Sequence, residues 1–119
     1  MMKNNKNTQA WGVRSKVWIE IEGKPIMGEG RKEILKAIAQ YGSMLDASKA
    51  TGISYRRIRG AIKEMERAVG RSLVQSYRGG QNGGGAVLTP AAEQLMHWFD
   101  QMADGMQQQM DVRFNKIFK

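Results

Sequence analysis

The residues best equipped for chemistry are cationic and crowded together. From Ser54 to Lys63 the chain reads SYRRIRGAIK, which sets Arg56, Arg57, Arg59 and Lys63 close together with no acid until Glu64. Arginine offers a planar fork of donors that can grip a guanine edge through two hydrogen bonds, while lysine, serine and tyrosine bond well to phosphate oxygens. Gly60, inside the run, leaves room for a base edge or phosphate to approach the backbone. The competing interpretation is a plain solvated helix face, because basic faces occur on many proteins that never meet nucleic acid. The surrounding elements must decide between them.

Ser54 is a good N-cap, and Ile58, Ile62, Met65 and Val69 follow at spacings of three and four. That spacing predicts a helix from Ser54 to Val69 with its apolar stripe inward. Tyr55, Arg56, Arg59, Gly60 and Lys63 then lie on the opposite face, with Arg57 near them. Just upstream, Ser43 followed by Asp46 resembles a capping box and starts a helix at Met44. Ala47 and Ala50 carry little bulk, which allows another helix to cross closely. Gly52 ends this helix where a positive φ is needed, so Thr51, Gly52 and Ile53 form the turn. The stretch from Ser43 to Glu66 is therefore a helix-turn-helix, the frame that presents a helix to the major groove.

Other chemistries find little support. His97 is the one histidine and there is no cysteine, so neither a transition-metal site nor a disulfide is expected. Asp100 and Asp104 share a helix face, but no base or pocket accompanies them, and they are expected to be solvated charges. The glycine-rich RGGQNGGG lacks the Lys-Ser/Thr of a phosphate-binding P-loop and precedes a strand rather than a helix. No enzyme and no cofactor is expected.

The 119 residues suffice for one domain with a small core. Their net charge of +8 favours a polyanionic partner, nucleic acid or an acidic surface. Between Glu29 and Arg78 eleven Lys or Arg face five Asp or Glu, so most of the excess belongs to the half with the helix-turn-helix. No apolar run reaches the length of a membrane span and no signal peptide is evident, so the expected location is the cytoplasm, associated with the nucleoid.

In order along the chain, residues 1–12 are polar and are expected to form a disordered tail. Alternation from Val13 to Ile26, with Val17, Ile19 and Ile21 on one side and Trp18, Glu20 and Glu22 on the other, predicts a β-hairpin turning at Gly23, Lys24 and Pro25. Trp11 and Trp18 are expected to pack across it. A helix from Arg31 to Gln40 buries Ile34, Leu35, Ile38 and Ala39. After the helix-turn-helix, strands at Ser72–Tyr77 and Ala86–Leu88 flank the glycine-rich loop, a mobile wing from which Arg78, Gln81 and Asn82 can reach DNA. Thr89 and Pro90 start a last helix expected to run to Phe118. Along it Leu95, Phe99, Met102, Met106, Met110 and Phe114 step by fours and threes, close to a heptad seam. The expectation is a homodimer through these residues, although Gly105 and the glutamines Gln107 to Gln109 weaken the seam; the alternative is a helix folded back on its own core.

The segments GEGRKEILKAIAQYGSMLDASKATGISYRRIRGAIKEMERAVGRSLV and RGGQNGGGAVLTPAAEQL, with VWIEIEGKPIMGEGR before them, resemble the N-terminal winged-helix domain of the ModE group of molybdate-responsive transcription regulators. That domain is itself similar to the DNA-binding domain of LysR-type regulators. The resemblance implies a mainly α fold with small β elements (α+β): a winged helix-turn-helix over residues 13–90 with an N-terminal β-hairpin, then a long dimerisation helix over 91–119. It also implies a sequence-specific regulator acting on double-stranded DNA as a homodimer. ModE regulators continue into oxyanion-binding domains for which these residues leave no space, so no molybdate site is expected in this chain. Two alternatives remain at this level: an architectural protein that binds DNA through charge with little base discrimination, and a protein-interaction module whose winged helix has lost DNA contact and whose long helix binds a partner.

Overall fold

The computed structural model describes residues 10–79 and 84–119; Gln81, Asn82 and most of the N-terminal tail lie outside them. The chain divides into two compact units, one of Trp18–Phe99 and one of Met1–Val17 with Asp100–Lys119. In order, the elements are β1 (Trp18–Ile21), β2 (Lys24–Gly28), α1 (Glu29–Tyr41), α2 (Met44–Thr51), α3 (Tyr55–Val69), β3 (Val74–Tyr77), β4 (Gly85–Leu88), α4 (Pro90–Ala103) and α5 (Met106–Phe118). β1 pairs with β2 and β3 with β4, each as a separate antiparallel pair.

The first hairpin keeps the expected alternation, with Val17, Ile19 and Ile21 partly covered and Trp18, Glu20 and Glu22 exposed. It is shorter than expected, because residues 13–17 form no strand, and its turn is tighter. Ile21 pairs directly with Lys24, which leaves a two-residue loop of Glu22 (φ 51°) and Gly23 (φ 79°). Positive φ at both positions matches the right-handed twist of the flanking strands. Pro25 is thus a strand residue beside a register shift, where its missing N–H costs little.

α1 is longer at both ends than its apolar spacing suggested. It buries Ile34, Leu35, Ala37 and Ile38, so Ala37 rather than Ala39 faces the core. The Ser43 hydroxyl caps α2 by accepting from the Asp46 amide, and Gly52 closes it at φ 77°. Ala47 is fully buried, whereas Ala50 is exposed, so the close crossing of α2 rests on Ala47 alone. α3 buries Ile58, Ile62 and Met65 and ends at Gly70, again at φ 77°.

α4 begins as expected: the Thr89 hydroxyl accepts from the Ala92 amide, with Pro90 in the first turn. It does not continue to Phe118. Gly105 takes φ 77°, a left-handed conformation that a helix interior cannot hold, and a separate helix starts at Met106. Leu95 (6% exposed) and Phe99 (1%) are core residues of the Trp18–Phe99 unit. Buried there, they have no surface left for a second chain, which removes them from the expected dimer seam.

The smaller unit is organised around α5. The Gln107 amide donates to the Val13 carbonyl (2.8 Å) and accepts from the Ser15 N–H (2.8 Å), holding the extended segment as a neighbouring strand would. Trp11 packs edge-on against Phe118, with ring centroids 5.5 Å apart. Phe118 stacks in turn on Phe114 at 4.6 Å.

Candidate nucleic-acid interface

α3 separates its apolar and cationic sides cleanly. Arg56, Gly60 and Lys63, at steps of four and three, lie opposite Ile58, Ile62 and Met65, and every one of Ser54, Tyr55, Arg56, Arg57, Arg59, Gly60 and Lys63 is exposed. Arg67 extends the stripe by one more step of four. It was missed in the sequence, although the same spacing that marks Arg56 and Lys63 points to it. Nothing lies within 4 Å of a Cβ placed on Gly60, so packing does not demand glycine there and the open backbone is available to a ligand. Ser54 has a local duty as well, since its hydroxyl accepts from the Arg57 amide at 3.1 Å.

The flanks of the stripe differ. Arg57 looks toward α1, over a groove shared with Gly30, Arg31, Ile34 and Ile53. Tyr55, Arg59 and Lys63 border a groove whose far side is Val74 and Ser76 of β3. The first acid after the cationic run is neutralised within the fold: the Arg31 guanidinium donates to Glu64 Oε1 at 2.8 Å and to the Ile26 carbonyl at 3.0 Å. That hydrogen bond, reinforced by the charge of Arg31, holds the Glu64 carboxyl below its ordinary range. The positive potential of α3 is therefore opposed less by Glu64 than its position suggests.

β3 and β4 pair from Val74↔Leu88 to Tyr77↔Gly85, and three ties secure this wing to the helices. The Glu66 carboxylate accepts from the Leu73 amide (2.7 Å) and the Val74 amide (3.2 Å). Thr89 donates through its hydroxyl to the Ser72 carbonyl (2.7 Å) and through its amide to the Leu73 carbonyl (3.0 Å). The Ala86 amide donates to the Gly42 carbonyl at 2.8 Å, joining β4 to the turn between α1 and α2. Two glycines of the wing are also needed for packing. A Cβ on Gly85 would sit 2.5 Å from the Tyr77 hydroxyl and 2.8 Å from the Gly42 carbonyl oxygen, and one on Gly84 would collide with the Tyr77 carbonyl. Arg78 is exposed beyond the end of β3, while Gln81 and Asn82 fall outside the described residues.

Among the described residues, no three or more His, Cys, Asp or Glu side chains gather where they could hold a metal ion, and no helix is long and apolar enough to cross a membrane. Of the residues expected at a dimer seam, Met102 is exposed, and Met106, Met110 and Phe114 are partly covered.

A model of bacterial regulatory helix-turn-helix proteins of the lysR family matches residues 31–93, which run from α1 through the wing into α4. The chain belongs to this family. The DNA-binding transcriptional dual regulator ModE of Escherichia coli K12 is 36% identical over 94 residues, which cover 79% of this chain and 36% of that protein. The molybdenum-pterin-binding protein MopB of Rhodobacter capsulatus is 39% identical over 70 residues, 59% of this chain and 26% of that one. The chain thus spans about a third of the length of the ModE protein it matches. Among solved structures, the full-length LTTR LysG from Corynebacterium glutamicum with bound effector Arg superimposes with a TM-score of 0.52 at 27% identity, covering 76% of this chain and 29% of that chain. The fold is that of the DNA-binding domains of LysR-type regulators, a winged helix.

Proposed function

We propose that this chain binds double-stranded DNA sequence-specifically as part of a transcription regulator, with α3 in the major groove and the wing along the flanking backbone. The observation that carries this reading is the exposed stripe of Arg56, Gly60, Lys63 and Arg67 on a helix whose other side is locked into the core. Arg56 and Arg59 supply base-edge or bidentate phosphate contacts, and Tyr55, Arg57 and Lys63 fix the register on phosphates. Arg78, with Gln81 and Asn82, extends the contact from the wing. The role is recognition without catalysis, matching the regulators among its relatives.

The chain acts as a homodimer in this reading. Met102 (64% exposed) and Ile117 (62%) leave apolar surface uncovered in the smaller unit, and Met106, Met110 and Phe114 lie on the same side of α5 as Ile117, a face for a second copy. Two-fold symmetry then pairs two recognition helices with an inverted repeat. By similarity to ModE, promoters connected with molybdenum metabolism are the first to test.

The test is selection of bound sequences from random duplex DNA, then titration of the winning and scrambled duplexes at several salt concentrations. An enriched inverted repeat with a large affinity ratio is expected. Binding without enrichment that vanishes in moderate salt would instead favour charge-driven architectural binding, the reading to which the +8 net charge alone would lead.

A further inference from the structure

Glu66 is an acid on the helix proposed to meet a polyanion, on the flank shared with Tyr55 and Arg59. A carboxylate in that position repels phosphate and weakens the contact unless it is used for something else. Its use is internal. A single oxygen, Oε2, accepts from the backbone N–H groups of Leu73 (2.7 Å) and Val74 (3.2 Å) and lies 3.5 Å from the Ser72 hydroxyl. Leu73 is fully buried and Val74 opens β3, so the recognition helix itself holds the first wing strand.

The consequence is geometric. Two strands of four residues each are marginally stable alone, so the position of the wing depends on what anchors its ends. Thr89 and the Ala86–Gly42 bond anchor it to the base of α4 and to the turn after α1; Glu66 alone among these ties fixes it to α3. Between α3 and β3 runs an open groove of about 320 Å³, with Tyr55, Arg59 and Lys63 on one wall, Val74 and Ser76 on the other, and Glu66 also in its lining. A DNA strand that passes from a major groove occupied by α3 to a minor groove beside the wing must thread between these two elements.

We propose that Glu66 is a positioning residue for DNA binding: it sets the separation of the recognition helix and the wing, so that one strand's phosphates fit the groove between them. This rests on the reading of α3 as the recognition helix. Glu66 touches no DNA in this arrangement. The oxygen that accepts the wing's amides is the feature that counts, and the charge is incidental to it.

The test compares wild type, Glu66→Met, Glu66→Gln, Arg78→Ala and the Glu66→Met/Arg78→Ala double variant on the duplex selected by the wild type, using titration and hydroxyl-radical footprinting. Glu66→Met keeps the stem but has no acceptor, and its affinity is expected to fall about ten-fold, the scale of leaving charge-assisted amide bonds unmade. Protection of the flanking backbone should disappear while protection of the backbone on either side of the α3 site stays. Glu66→Gln retains an oxygen that can accept the same bonds and should keep both affinity and flank protection. Because Glu66 acts through the wing, the double variant should bind no more weakly than the weaker single variant. Retained flank protection in Glu66→Met, fully additive losses, a Glu66→Gln as weak as Glu66→Met, or loss of the helical fold in Glu66→Met would each overturn the positioning role. A wild type that selects no duplex would overturn the DNA-binding reading beneath it, an outcome visible before any variant is made.

Discussion

Replacing Arg56 with alanine separates binding from folding. Arg56 stands in the first turn of α3, exposed, and among the described residues no hydrogen bond or ion pair engages its guanidinium. Its loss should leave the free protein's stability within about 0.5 kcal/mol of wild type, as for surface positions without partners. In the complex, the same side chain supplies a two-pronged contact worth roughly 1 to 3 kcal/mol, a loss of about 5- to 150-fold in affinity. The variant should therefore melt with the wild type and bind its selected duplex more weakly, and Arg59→Ala should behave in the same way. Fluorescence anisotropy at several salt concentrations distinguishes the kind of contact. A lost phosphate contact lowers the slope of log affinity against log salt by about one, whereas a lost base contact relaxes preference at one position of the site. Unchanged affinity, salt slope and site preference for both variants would refute the assignment of α3 as the recognition helix.

Ile58 is wholly buried under the cationic stripe, so Ile58→Ala should cost about 2 to 5 kcal/mol in denaturant unfolding; a loss below 1 kcal/mol would show that the core does not depend on it. The Glu64 carboxyl is held below its ordinary value of 4.5, chiefly by its hydrogen bond to Arg31, so this pair contributes stability above that pH and loses it as pH falls through the lowered folded value. The stability difference between wild type and Arg31→Met should thus hold constant from about pH 7 to 5 and narrow at lower pH; a gap unchanged down to pH 3 would contradict the pairing. Gly85→Ala forces a Cβ against the Tyr77 hydroxyl and the Gly42 carbonyl, and should displace the wing and weaken DNA binding while α1 to α3 keep their amide-exchange protection. Loss of protection throughout would show the wing to be inseparable from the core. Met102→Lys and Met110→Lys together should yield a monomer by sedimentation equilibrium, and a persistent dimer would move the interface away from the smaller unit.

Much of this architecture was readable because local rules and tertiary packing agree along the helix-turn-helix. Ser43 and Ser54 cap, Gly52 and Gly70 stop, and Ile58, Ile62 and Met65 face inward, each by a rule that operates within a few residues. The last helix shows where such rules conflict. The spacing from Leu95 to Phe114 is periodic across Gly105, and periodicity alone cannot distinguish one helix from two that remain nearly in phase. The left-handed Gly105 decides it, and burial of Leu95 and Phe99 shows that the first part of the apparent seam is ordinary core. Truncation just after Leu95 would consequently remove Phe99 from the core and would not report on dimerisation alone. The ties of the wing were hidden for another reason: Glu66 bonds to amides seven and eight residues away, across a turn, and no short-range pattern announces such a partner. The dense glycines suggested mobility, and for Gly84 and Gly85 the structure adds a steric reason. Of the side chains expected to bind DNA, those of α3 are all exposed, with Arg57 on one flank of the stripe and Tyr55 and Arg59 on the other, and Arg78 is exposed beyond β3; Gln81 and Asn82 lie outside the described residues.

The most direct test of DNA recognition through α3 is methylation interference at guanine N7 on the selected duplex, because N7 lies on the floor of the major groove. Interference is expected in each half-site of an inverted repeat, with at least one of those positions losing its effect when Arg56 or Arg59 is replaced by alanine. Binding indifferent to N7 methylation, and abolished instead by a ligand that fills the minor groove, would contradict it.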